Sequence, residues 1–321
     1  MIRKGPGAWP PLPFPQWQDT CAALHLWSQV VGKYRLARTP WVNHAWHATL
    51  YVTPRGLTTG PVPDVGATVT LAFDFREHVL TAETEHGASE SFPLEPMSVA
   101  DFYHRTKALL AKIGATPVFH GSPSELPHPT PFAADTQVRP YDAEAVERFH
   151  QALVRIERVF AFFRTGFIGK VSPVHLFWGA LDLAVTRFSG RRAPPHSGGI
   201  PHLPDAVTRE AYSHEVSSAG FWPGGGGVEE AMFYSYAYPE PDGFRTQQVE
   251  PDVARYDASL GEFLLPYDAV RGSDDPDAVL LRFLRSTYEA AADCGCWDRG
   301  ALECAPGQPR VPRHVDAGEK D

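Results

Sequence analysis

His214 and Glu215 stand side by side in the segment EAYSHEVSSAGFWPGGGG, with Ser217, Ser218 and Trp222 close behind and Gly224 to Gly227 closing the run. An imidazole titrates near neutral pH and a carboxylate can fix its tautomer. His214, partnered by Glu215 or Asp182, therefore has the makings of a general base or a metal ligand. Neighbouring residues on a strand point to opposite faces, so the pair can share one pocket only where the backbone bends. The competing reading is a buried polar network that pins the glycine loop. An ordered glycine run loses much backbone entropy on folding and marks a tight path where the chain needs close approach.

His44 and His175 hold similar places, each shortly after a Thr-Pro or Ser-Pro pair. With His214 they could form a three-histidine site for zinc, iron or copper. No H-x-H, H-x-x-x-H or H-x-x-E spacing supports that site, and a lone His in an aromatic neighbourhood is more often a hydrogen-bonded core residue. Cys294, Cys296 and Cys304 with His314 could supply four zinc ligands, but these gaps match no standard knuckle, and free thiols are the alternative. No cofactor follows from these residues.

Arg187 and Arg191, with Lys170 nearby, could hold a small anion, because guanidinium groups pair well with carboxylate or phosphate. Scattered surface charge is the other reading. Trp178 and Trp222, with Trp46, Phe221 and the FYSYAYPEP segment, could wall an apolar pocket or fill the core. No G-x-S-x-G elbow surrounds any serine, and the glycine run lacks the Lys-Ser/Thr of a phosphate-binding loop. A formal charge of -9 opposes nucleic acid and anionic membranes as partners. No window is apolar enough for a membrane span or a signal peptide, and four unevenly placed cysteines fit a reducing cytoplasm.

The elements that must position these residues follow from periodicity. Apolar residues at helical spacing predict a helix from about Trp17 to Val31. HATLYVT, residues 47 to 53, reads as a strand. VTLAFDF and HVLTAETE form a hairpin about Arg76 and Glu77, and SFPL adds another strand. Ser98 offers an N-cap to a helix that Gly114 stops, and a longer helix starts near Asp142 and ends by Gly166. TPVFHG reads as a short strand before a proline-rich connector. SPVHLFWGALDLAVTRFSG fits either helix or strand, and comparison with the first half favours strand. Further strands are predicted at 211 to 219, 231 to 238 and 262 to 266, then a helix after Pro276.

Shifting the chain by 132 residues aligns Trp46 with Trp178 and Arg55 with Arg187, and helix, strands, helix recurs in both halves. The expected fold is α+β: antiparallel sheet with long helices on one face, as two related halves, 1–120 and 121–304. An insertion at 191–230 sits in the second half, and 305–321 reads as a disordered tail.

The strings VNHAWHATLYVTPRGLTTG, FIGKVSPVHLFWGALDLAVTRFSGRRAPP and REAYSHEVSSAGFWPGGGG resemble those of a bacterial family known only as a domain of unknown function. The resemblance covers roughly 9 to 300 and implies no reaction. Its motif positions include His44, Lys170, His175, Asp182, Arg187, His214, Glu215 and Trp222. The expectation is an enzyme or small-molecule binder whose pocket lies where 191–230 meets the strands near His44 and His175, with an anionic ligand. The alternative is a noncatalytic scaffold using the glycine loop as a partner surface. These residues assign neither a reaction nor an oligomeric state.

Overall fold

The first helix, α1 (Phe14–Leu36), is enclosed on every side from Ala23 onward, with Leu24, Trp27, Val31 and Tyr34 in the core and even Lys33 and Arg35 almost wholly covered. Its polar side chains are covered because they have partners inside the domain, as where Arg35 donates to the His47 and Thr49 carbonyls and Gln29 pairs with Ser124. A computed structural model of the chain describes residues 8–313, and around α1 it places two antiparallel sheets. The fold is α+β.

The first sheet contains β1 (Tyr51–Val52), β2 (Gly56–Thr58), β3 (Val62–Asp64), β4 (Ala67–Asp74), β5 (Val79–Thr84) and β6 (Ser89–Pro93), ordered β1-β2-β4-β5-β6 with β3 also on β4. The β4–β5 hairpin falls where the alternation predicts. Helix α2 (Val99–Lys112) begins as expected, with Ser98 Oγ accepting from the Asp101 N–H at 3.0 Å. Phe102 of α2 stacks on Trp27 and Phe73, joining helix, helix and sheet.

Helix α3 (Ala143–Arg164) is capped by Asp142. The second sheet follows: β7 (His175–Phe177), β8 (Asp182–Arg192), β9 (His214–Trp222), β10 (Met232–Tyr238), β11 (Arg255–Asp257) and β12 (Glu262–Pro266), ordered β7-β8-β9-β10-β12-β11. Helix α4 (Asp205–Ala211) lies between β8 and β9; α5 (Tyr267–Arg271), α6 (Pro276–Cys294) and α7 (Arg299–Leu302) complete the described elements. Leu183, Phe221, Phe233 and Leu265 fill the sheet face that packs on α3 and α6. The two sheets meet edge to edge at an antiparallel bridge, in which Leu50 and Leu176 exchange hydrogen bonds of 2.9 and 2.8 Å.

Several expectations are corrected. Of the predicted strand 47–53, His47 and Ala48 belong to a 3-10 turn, Asn43–Ala48, and only Tyr51–Val52 is strand. Arg35 explains this: its guanidinium donates to the carbonyls of His47, Thr49 and Thr59, and tertiary hydrogen bonds override the β preference of the segment. TPVFHG is not a strand. The ambiguous 174–188 segment is a β-hairpin, turned at Trp178–Leu181 with Leu181 at φ 56°. The two sheets do not share a strand order, so the 132-residue register gains no support from topology. Of the predicted tail, Gly307 and Arg313 hydrogen-bond Thr165 at the end of α3, while 314–321, with His314, lies outside the described residues.

Candidate functional site

Alternation along the second sheet sorts its residues into two faces. Leu183, Val185 and Arg187 of β8 face the helices, whereas Asp182, Ala184, Thr186 and Phe188 face the other way, into a cavity of about 620 Å³. Val216, Ser218 and Trp222 of β9 and Tyr234 and Tyr236 of β10 continue this floor, and Glu262 opens β12 beside them. The roof comes from elsewhere: the end of α1, the 3-10 turn Asn43–Ala48, the Ser124–Glu125 loop, and the strap running from Ile200 through α4 to Tyr212.

Polar residues of α1 hold part of that roof. His25, Gln29 and Lys33 lie four residues apart and so share one side of the helix. His25 Nε2 meets the Gly179 carbonyl at 2.7 Å, and the Gln29 amide pairs with both the N–H and the carbonyl of Ser124. Lys33 Nζ donates to Ser124 Oγ at 2.6 Å. Glu125 follows directly, and its N–H donates to the Pro201 carbonyl at 2.8 Å, fastening loop to strap. Trp178 closes the wall, its indole N–H donating to the Ala48 carbonyl at 2.6 Å.

The floor carries a row of hydroxyls. Thr186 and Ser218, paired across β8 and β9, are 2.8 Å apart at their oxygens, and Tyr236 meets Tyr212 of the strap at 2.7 Å. Tyr234 donates to Asp182 Oδ2, and this requires Gly220 between them: a Cβ there would lie 2.2 Å from the tyrosine oxygen.

Three carboxyl groups converge on this cavity. Burial raises Glu125 to about 7, assisted by Asp182 and opposed by Lys33. Burial raises Asp182 to about 6 against the Tyr234 hydrogen bond, and raises Glu262 to about 8, with Asp182 and Asp257 adding to the effect. Groups placed there can take or give a proton near neutral pH.

Of the residues singled out by sequence, His44, Trp46, Trp178, Asp182, Ser218 and Trp222 line the cavity, with Tyr234 and Tyr236 of the FYSYAYPEP segment. His44 is committed elsewhere: its Nδ1–H donates to the Ala211 carbonyl, its Nε2 accepts from Lys170 Nζ at 2.8 Å, and its backbone N–H donates to Glu210. It therefore fastens α4 to the 3-10 turn. Burial lowers its pKa, with Lys170 also lowering it and the Ala211 carbonyl opposing, so the neutral imidazole is favoured. Lys170 sits over the rings of Trp46 and Phe188 beside the cavity.

The remaining predicted residues lie outside the cavity lining. His175 is fully enclosed on β7, its Nδ1 on the Pro173 carbonyl, and burial lowers it to about 4. His214 opens β9 beyond the cavity rim and pairs with the Ser213 hydroxyl at 3.1 Å rather than with a carboxylate or histidine. Glu215 points to the opposite face, where it accepts from Ser189 and Arg191. Arg191 also donates to the Gly295 and Cys296 carbonyls at the end of α6. Arg187 stacks among Phe163, Phe167 and Tyr288 and donates to the Phe163 carbonyl, a consequence of its odd position on β8. The arginines therefore form no anion pocket at this cavity. Among the described residues, no group of three or more His, Cys, Asp or Glu side chains is placed to hold a metal ion.

The 191–230 segment divides in two. Its 200–212 part roofs the cavity, but Gly224 to Gly227 form the β9–β10 turn, with φ from 62° to 110°, away from it. Left-handed backbone, rather than approach to a ligand, accounts for the glycines.

A comparison with family models covers this whole arrangement. The chain belongs to DUF5996, a family of unknown function. The match spans residues 9–304, so every cavity element of this DUF5996 protein lies within it. No curated protein and no solved structure matches the chain. No helix among the described residues is long and apolar enough to cross a membrane.

Sequence reasoning missed Glu125 and Glu262, and it named Tyr234 and Tyr236 only as part of the aromatic FYSYAYPEP segment, without their link to Asp182. The period-two spacing of Tyr234 and Tyr236 was a usable signal, since it puts both rings on one face. Glu125 sits in a proline-rich connector and carried no such signal.

Proposed function

We propose that this protein binds a small organic molecule in the cavity between the second sheet and the 200–212 strap. One observation carries the reading: a cavity of about 620 Å³, walled by Trp46, Trp178, Trp222 and Phe188 with hydroxyls and carboxyls at chosen points. Enclosed apolar space with a few convergent polar groups is the usual form of a small-molecule site. A scaffold surface would instead present a flat apolar patch, so the concave, roofed geometry favours the binding reading.

Replacing Ser218 by Phe fills the floor of the cavity and supplies the test. Neutral aromatic compounds such as indole and tryptophol are expected to raise the melting temperature of the wild type and to leave Ser218→Phe unchanged. Equal shifts in both proteins, or none in the wild type, overturn the reading.

Catalysis at the same place is a second reading, favoured by three carboxyl groups raised toward neutral pH. Each compound that stabilises the wild type is incubated with it and followed by mass spectrometry. Conversion that Asp182→Asn abolishes supports catalysis, and unchanged recovery of the compound overturns it.

A further inference from the structure

The inner end of the cavity is short of positive charge. Glu125, Asp182 and Glu262 arrive from a loop, β8 and β12, and none is in an ion pair with a Lys, Arg or His side chain among the described residues. Lys33 acts on Glu125, but its hydrogen bond goes to Ser124. Asp182 accepts from Tyr234 and from its own backbone N–H, neither of which carries a charge. Glu262 Oε2 is shielded from solvent and has no hydrogen-bond partner. A buried acceptor in that state awaits a donor or a counter-charge.

The other titratable groups do not supply one. Tyr212, Tyr234 and Tyr236 face the carboxyls from the strap and β10, and Asp257 adds negative charge from β11. His44, His47, His120 and His202 also line the cavity; His44 is held by Ala211 and Lys170. Around the acids stand aromatic faces, with Trp222 and Tyr234 at a ring separation of 4.5 Å. Aromatic faces carry negative electrostatic potential and attract cations. Carboxyls, tyrosines and rings thus favour the same sign of guest.

We propose that the ligand of this cavity is an organic cation, an ammonium group on an apolar body, with its charged head among Glu125, Asp182 and Glu262 and its body against Trp178 and Trp222. This rests on the binding reading above and adds the ligand's charge. A cation favours the ionised carboxylates, so binding releases protons, and affinity rises as pH rises through the range in which the three acids titrate.

The test uses a matched set: tryptamine, its neutral analogue tryptophol and the anionic indole-3-propionate. Isothermal calorimetry is run at pH 6 and pH 8 in buffers of different ionisation enthalpy. Tryptamine is expected to bind at least about tenfold tighter than the other two, to tighten about tenfold from pH 6 to pH 8, and to release protons. Glu262→Gln and Glu125→Gln, each checked for its folded circular dichroism spectrum, are expected to lose about tenfold for tryptamine and little for tryptophol. Tryptophol or indole-3-propionate binding as tightly as tryptamine, with Ser218→Phe abolishing it, overturns the cation assignment and leaves the binding reading standing. No binding by any of the three at millimolar concentration overturns both.

Discussion

The hydroxyl of Tyr234 reaches the Asp182 carboxylate by passing over the bare backbone of Gly220. Strand β8 supplies the acid, β10 the donor, and β9 between them supplies only the absence of a side chain. Gly220→Ala places a methyl 2.2 Å from the tyrosine oxygen and must displace the ring. The expected cost is about 1–3 kcal/mol. Tyr234→Phe deprives the buried Asp182 of its side-chain donor, at a similar cost of about 1–3 kcal/mol. Urea denaturation of both variants checks this, and wild-type stability in Gly220→Ala contradicts it.

Glu262 gives a pH signature. Burial raises its carboxyl from 4.5 to about 8, so across that window the unfolded chain ionises first and stability is lost as pH rises. Glu262→Gln removes the loss. The variant is expected to match the wild type near pH 4.5 and to exceed it by about 2 kcal/mol at pH 8, a figure reduced for partial exposure and coupling to Asp182. A stability difference that stays flat between those pH values rules the assignment out.

His175 acts in the opposite sense. Its folded pKa of about 4 lies below the ordinary 6.5, so between these values the unfolded chain takes up a proton that the native chain refuses. Stability is lost as pH falls through that window, by about 3 kcal/mol in all. His175→Leu should show no such dependence. Parallel denaturation series at pH 7, 5.5 and 4 measure the difference, which must grow on acidification.

Arg187 is structural. Its guanidinium fills the space between Phe163, Phe167 and Tyr288 at only 4% exposure. Arg187→Lys loses the planar stacking and is expected to destabilise by about 2 kcal/mol. Its binding of cavity ligands should match the wild type by calorimetry, and weakened binding at equal folded fraction would return this residue to the site.

Much of the frame was legible because it is local. Ser98 and Asp142 announce α2 and α3 through caps that involve residues three positions apart, and the β4–β5 hairpin is written in alternation. The site was legible only in part. Asp182, Trp178 and Trp222 stand out by type, but Glu125 and Glu262 reach the same cavity from a loop and from β12, a convergence that no local pattern encodes. The arginines misled for a related reason: Arg187 and Phe188 are adjacent in sequence, and a period of two sends them to opposite sides of the sheet. The conspicuous glycines answered to turn geometry instead of to a ligand.

The bridge between Leu50 and Leu176 makes each sheet the cover for the other's edge. Strands β1 and β7 would otherwise present unpaired N–H and carbonyl groups beside apolar surface, the combination that templates aggregation. The cavity straddles the same seam, because the 3-10 turn that roofs it precedes β1 while its floor begins at β8. A guest held there touches both sides of the joint. It should act as a rivet, so that saturating the cavity slows the parting of the sheets and protects the Leu50 and Leu176 amides from hydrogen exchange more than amides at the far edge, on β11.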